Sequence, residues 1–301
     1  MSPVRVHLFA QAALVCVLAM PAVRPLAAAA EAITRTVYVT ITDAQGTPVK
    51  DLTAANFKVK EGGKDREIVK AGPATAKARV AIMAEDRLIG GDAQTRVGVF
   101  ELVKRLSGIA EMSLITVGMS NNTLVPFVTD ANALLKAINE LSLNPQPTSN
   151  LTEGIADMAK IFAKEKPERP IIVVVGYSGG QAGGASASSV LTDLRQSGAT
   201  LFAVTFGPPG TTGSQNLGTM ADESGREQVL GDGAKQSGGR RFDVVTTAAI
   251  PKALQQVADD IAAQYAISYS LPDGVKPDKR VSVNVDRKGL TMRVPAGMPD
   301  K

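Results

Sequence analysis

"IIVVV", residues 171–175, is a run of five β-branched apolar residues, and "GYSGG", residues 176–180, follows it directly. A strand with one face in water alternates apolar and polar side chains, whereas an unbroken run means that both faces are covered. Similar runs recur outward from this one, giving strand candidates at 80–84, 112–119, 123–128, 200–206 and 241–245. Helical spacing fills most of the gaps, at 97–106, 131–141, 151–163, 187–197 and 250–264. This alternation from residue 79 onward predicts an α/β, doubly wound fold with a mostly parallel sheet.

Both flanks of that region read differently. Residues 36–70 alternate at Val37, Val39 and Ile41, turn at "DAQG", alternate again at Phe57 and Val59, and turn at "EGGK", which predicts a small antiparallel β unit. After Gln264, "YAISYSL", "RVSVNVD" and "LTMRVP" return to strand alternation and can rejoin it. The expected division is an N-terminal β subdomain over 33–76, an α/β domain over 77–270, and C-terminal strands over 271–301 that pack with the first. Tyr265 and Tyr269, four apart in a strand, share a face and are expected beneath this β unit. Helix 250–264, with Ile250, Leu254, Val257 and Ile261 on one stripe, is expected to face the core. Residues 207–239 read as loop-rich around a short helix.

The first 30 residues have the pattern of a secretory signal peptide. Arg5 precedes an apolar stretch over residues 8–23, and "LAAAAEA" supplies small residues for cleavage near Ala30 or Ala32. No later segment is long and apolar enough to cross a bilayer, so the expected location is secreted or periplasmic. Cleavage near Ala30 removes Arg5 and Arg24 and no acid, which lowers the net charge from +4 to about +2. That balance gives no electrostatic case for nucleic acid as a partner. The single histidine, His7, and the single cysteine, Cys16, both leave with the leader. A mature chain of this kind has no thiolate, no disulfide, no Cys/His metal site and no imidazole base.

That absence bears on "GYSGG", which matches G-x-S-x-G in a strand-turn-helix setting and presents Ser178 as a would-be nucleophile. A serine at its ordinary pKa needs an adjacent base, and only Lys160 or Lys164 could be offered, without supporting spacing. A serine hydrolase therefore remains the alternative, and a Gly-rich turn is the simpler reading. "GGQAGGAS", residues 179–186, carries Ala185 where a phosphate-binding loop has Lys, so no nucleotide is expected. "VAIMAEDRLIGG", residues 80–91, is a buried run that stops at two carboxylates, Glu85 and Asp86, as a metal or catalytic edge would.

The two ends carry a resemblance. "VTITDAQGTPVKDLTAANFKVKEGGKDREI" and the later set Gly238, Gly239, Arg240, Gln264, Tyr265, Ile267 and Tyr269 resemble the leader and closing motifs of von Willebrand factor A-like domains in the bacterial secreted "VWFA-related" family. The resemblance spans about residues 36–297. It implies an edge where such domains usually bind Mg²⁺ through D-x-S-x-S, a later Thr and a later Asp. Here Glu85 takes the Asp position with Arg87 and Ile89 at the serines, or Asp86 takes it with Leu88 and Gly90. Ser149 falls near the Thr position, and Tyr177 stands where the later Asp would be.

The resemblance therefore implies the relic of a metal-ion-dependent adhesion site, with no cofactor. A rearranged Mg²⁺ site using Asp92 is the alternative. Glu85 and Asp86 are expected in a solvated loop, paired with Arg87 or Arg96. The expected function is non-catalytic binding of a protein or envelope partner through the face of Glu85, Asp86, Arg87, Ser149, Tyr177 and Ser178. Arg87 and Tyr177 would be its strongest contacts. A purely structural module of a larger envelope assembly is the third reading.

Overall fold

The computed structural model describes residues 33–86, 92–141, 148–181, 183–207 and 217–299. The expected leader and Arg87 lie outside the described residues. In chain order the elements are β1 (Thr34–Thr42), β2 (Phe57–Glu61), β3 (Lys64–Arg66), β4 (Ile68–Pro73), β5 (Ala78–Glu85), α1 (Asp92–Leu106), β6 (Ala110–Val117), β7 (Asn121–Val128), α2 (Ala131–Glu140), α3 (Leu151–Glu165), β8 (Pro170–Tyr177), α4 (Ala187–Ser197) and β9 (Thr200–Phe206). There follow α5 (Leu217–Gln228), a π-helical turn over Val229–Gly233, a short α6 (Ala234–Gln236), β10 (Arg240–Val244), α7 (Ile250–Ala262), β11 (Tyr265–Ser270), β12 (Val281–Val285) and β13 (Thr291–Arg293).

The central sheet has the order β10-β9-β8-β5-β6-β7. Its strands are parallel except β7, which runs antiparallel along the edge beside β6. The run that predicts this sheet lies at its centre: Ile171 to Val175 are fully buried. Alternate residues serve opposite faces. Ile171, Val173 and Val175 pack with α1, α2 and α7, while Ile172 and Val174 pack with α3, α4 and the π-turn. β8 is flanked by β5 and β9, so its continuous apolar pattern is a requirement of position.

The smaller layer comprises a four-stranded sheet in the order β13-β1-β11-β4 and a three-stranded sheet in the order β12-β2-β3. Both ends of the chain contribute to it, as expected, but two details differ. β1 and β2 do not pair with each other; β1 lies between β11 and β13, and β2 between β12 and β3. The boundary expected at 270 cuts through this layer: β11, whose "YAISYSL" alternation can rejoin it, pairs along β1 from Thr34↔Ser270 to Val39↔Tyr265. Its alternation explains the placement: Tyr265, Ile267 and Tyr269 are buried in the β-layer core with Val37, Val39 and Phe57. Glu61, fully buried, ties this layer together by pairing with Arg35 and Arg66. Arg35 also donates to the carbonyls of Asp278 at 2.8 Å and Pro299 at 3.0 Å.

The larger correction concerns residues 207–239. From Leu217 the chain is helical through α5, the π-turn and α6 as far as Gln236. α5, "LGTMADESGREQ", has no apolar stripe, because the face it turns inward is polar. Asp222, Glu223 and Arg226 occupy that face, and a search for hydrophobic periodicity passes over such a helix.

Candidate functional site

β5 ends at Glu85, and the resulting geometry is unlike a solvated loop. Glu85 is 0% exposed. Its Oε1 accepts from Arg226 Nη1 at 2.8 Å and from the Ser149 hydroxyl. Its Oε2 accepts from Arg226 Nη2 at 2.8 Å and from the backbone N–H of Tyr177 at 2.7 Å. Arg226, also 0% exposed, donates from Nη2 to the Tyr177 carbonyl as well. Parallel N–H···O bonds of this kind are the strongest form of an arginine–carboxylate pair. A buried pair is tolerable only when its remaining hydrogen-bonding capacity is met, and both carboxylate oxygens meet that condition here. Gly176 makes the room: a Cβ there would stand 2.5 Å from Glu85 Oε2 and 3.3 Å from Arg226 Nη2.

Helix α5 is the frame of this arrangement. At spacings of one and four residues, Asp222 accepts from the Gly183 N–H at 2.8 Å, Glu223 accepts from the Gly180 N–H at 3.2 Å, and Arg226 reaches Glu85. One polar helix face thus holds the loop after β8 and the end of β5. Ser149 is held from its other side, its N–H donating to the Gly180 carbonyl at 3.0 Å, while the Asn150 N–H donates to Gly118 at 2.9 Å. The ends of β5, β6 and β8 and the start of α3 converge at the carboxyl edge of the sheet, where α/β folds place ligands.

Of the residues expected at this edge, Glu85, Ser149 and the Tyr177 backbone meet directly. Asp86 follows Glu85 half-buried, its N–H bonded to Val117 at 2.8 Å and its carboxylate against Gly118, where a Cβ would come within 2.9 Å of Oδ2. Burial, and then the charge of Glu85, raise its pKa above the usual carboxylate value. The Tyr177 ring packs edge-on against Phe206, centroids 5.5 Å apart at 75°. Ser178 is 4% exposed, with its hydroxyl 3.5 Å from the Gly207 carbonyl. No hydrogen bond joins Ser178 to either lysine offered as its base among the described residues; Lys160 pairs on α3 with Asp157 at 3.7 Å. Arg96 donates to the Leu141 carbonyl at 2.7 Å and does not pair with Glu85. Asp92 opens α1.

Arg226 is the residue that the sequence reading missed. The sequence does hold a signal for it, an acidic pair followed three and four residues later by an arginine on a helix without an apolar stripe, but only the fold connects it to Glu85, 141 positions away. Among the described residues no group of three or more His, Cys, Asp or Glu could hold a metal ion.

Comparison with known proteins agrees with this architecture. The family model of the von Willebrand factor type A domain matches residues 93–236. No curated protein matches the chain. Among solved structures, the von Willebrand factor type A protein from Catenulispora acidiphila is similar with a TM-score of 0.50 at 10% identity, covering 88% of this chain and 74% of that one. Proximal thread matrix protein 1 from the mussel byssus gives 0.49 at 12% identity over 63% of this chain and 49% of its own, so the chain spans about half the length of that protein. An aerotolerance-related membrane protein from Bacteroides fragilis NCTC 9343 gives 0.44 at 18% identity, over 60% and 98% respectively. From α1 to α6, a span that includes Ser149, Tyr177 and Arg226, this chain is a von Willebrand factor type A domain.

Proposed function

We propose that this protein is a secreted or periplasmic binding module that engages a protein or envelope partner through the carboxyl edge of its central sheet, without catalysis and without a divalent cation. Such domains are in general adhesion and protein-interaction modules. The observation that carries the metal-free part is Arg226. Its guanidinium already bonds both Glu85 oxygens and the Tyr177 carbonyl, groups that a hard cation would use. The donor set does not fit Mg²⁺, since Glu85 is neutralised by Arg226 and the Asp position of the resemblance is Tyr177. The edge in turn presents Asp86, Met119 at 56% exposure and Val245 at 75%. Methionine and other apolar groups beside polar ones suit a protein contact. The leader pattern supports export, and no described helix is long and apolar enough to cross a membrane.

Calorimetric titration of the mature chain with Mg²⁺ and Mn²⁺, with melting followed in parallel, tests the proposal. No heat and no shift are expected. A saturable heat accompanied by stabilisation of about 2.7 kcal/mol at a hundredfold excess over Kd, abolished in Glu85→Gln, would overturn it.

A further inference from the structure

At the other end of the central sheet, where β10 begins, lies an open groove of about 660 Å³ between the α/β layer and the end of β13. Its lining includes Asp232, Lys235, Arg240, Arg241 and Arg293. These cations are not equally committed. Arg241 is neutralised by Glu227 at 2.7 Å and Asp243 at 2.8 Å. Arg240 and Arg293 share one carboxylate, that of Asp260, which is 2% exposed and lies 3.9 Å from the first and 2.6 Å from the second. Arg293 Nε is buried without a hydrogen-bond partner. Apart from that distant pairing, the described residues give the Arg240 side chain a face contact with Phe242, 4.1 Å from the ring centroid. Burial, and additionally Arg293, act against the charge of Arg240, which Asp260 only partly offsets. Lys235 is exposed and has no acidic partner among the described residues.

Arg241 and its two carboxylates aside, three cations, Arg240, Arg293 and Lys235, face two carboxylates, Asp260 buried behind the guanidiniums and Asp232 exposed. With Arg241, Glu227 and Asp243 included the charges balance, so the attraction for an oxyanion rests on the unspent donors of Arg240, Arg293 and Lys235. An arginine presents five donors in a fixed fork, and an incoming oxyanion can meet two at once. Two backbone features shape the place. The π-turn Val229–Gly233 forms one wall, and interruptions of this type recur at functional sites. β10 forms the other, as the outermost strand of its sheet, and such an edge can accept an added extended segment.

We propose that this groove binds an acidic, extended segment of a protein partner, whose carboxylates pair with Arg240, Arg293 and Lys235 while its backbone runs beside the edge of β10. A peptide is favoured over a free anion because it can use the guanidiniums and the strand edge together. The site lies away from Glu85, so it stands or falls independently of the function proposed above.

Fluorescence anisotropy with a fluorescein-labelled deca-glutamate peptide tests it on the mature chain. The expected result is saturable binding that weakens as ionic strength rises, drops by about tenfold or more in Arg240→Gln and in Lys235→Glu, and is unchanged in Lys136→Gln on α2, which packs against β6 and β7 at the far side of the sheet from β10. Both groove substitutions leave Asp260 paired with Arg293, and unchanged melting of the variants would show that a loss is local. Absence of saturable binding, equal affinity in the variants, or equal binding of deca-lysine would overturn the proposal. So would inorganic phosphate displacing the bound peptide completely at equal charge concentration, since that would make the groove a small-anion site.

Discussion

Glu85 and Asp260 are both buried carboxylates facing arginine, one at each end of the central sheet, and they differ in how fully they are satisfied. Glu85 receives two guanidinium N–H groups, a hydroxyl and a backbone N–H, arranged so that each oxygen has two donors. Asp260 faces two guanidiniums, and its Oδ2, though 2.6 Å from Arg293, lacks a hydrogen bond of good geometry. Net contributions of buried charges depend on such completeness far more than on proximity. In the first, both carboxylate oxygens are saturated, and Arg226 Nε is the buried atom left without a partner. The second leaves guanidinium donors beside an open groove.

Four substitutions can break or sharpen that contrast. Arg226→Ala should have the largest effect, about 3–5 kcal/mol of lost stability, because it leaves Glu85 buried and uncompensated; chemical denaturation would read it, and a loss below about 1 kcal/mol would contradict that saturation. Gly176→Ala should cost about 1–3 kcal/mol, as its Cβ would fall 2.5 Å from Glu85 Oε2 with no room to relax. A melting temperature equal to that of the unmodified chain would mean that the pair tolerates displacement.

Arg240→Gln should cost less than about 1 kcal/mol, since its pairing with Asp260 is distant and partly exposed. A larger loss in denaturant unfolding would make the Asp260 end as structural as the other. Asp86→Asn should be the smallest effect and of opposite sign. The native pKa of Asp86 is raised, so ionisation costs stability as pH rises from the ordinary carboxylate value through the raised one. The asparagine variant should melt slightly higher at neutral pH, by under about 1 kcal/mol, and match the original in acid below that window. The same difference at every pH would count against a titrating cause.

The sheet was legible in the sequence because strands covered on both faces must be continuously apolar, as 171–175 are, and because such runs alternate with helical spacing. The β-layer was legible from both ends, except that alternation does not reveal pairing: Val37 and Phe57 sit in strands that share a core and not a ladder. Helix α5 was illegible since its inward face is Asp222, Glu223 and Arg226. For Glu85, charge at a strand end suggested water or metal, and the third possibility, a guanidinium from a distant helix, leaves no trace in local spacing. Arg87, expected with Tyr177 to make the strongest contacts, lies outside the described residues.

The β-layer also sets a schedule for folding. β1 is among the first elements of the described chain, yet its ladder partners are β11 and β13; the hydroxyls of Thr36 and Ser268, 232 positions apart, meet at 2.8 Å. Closing so long a loop is slow and yields nothing until both ends are present. A chain delivered from its N-terminus must carry β1 unpaired until almost all of the rest has emerged. The β-layer is thereby the last part of the fold that can close, whatever the α/β layer has already formed.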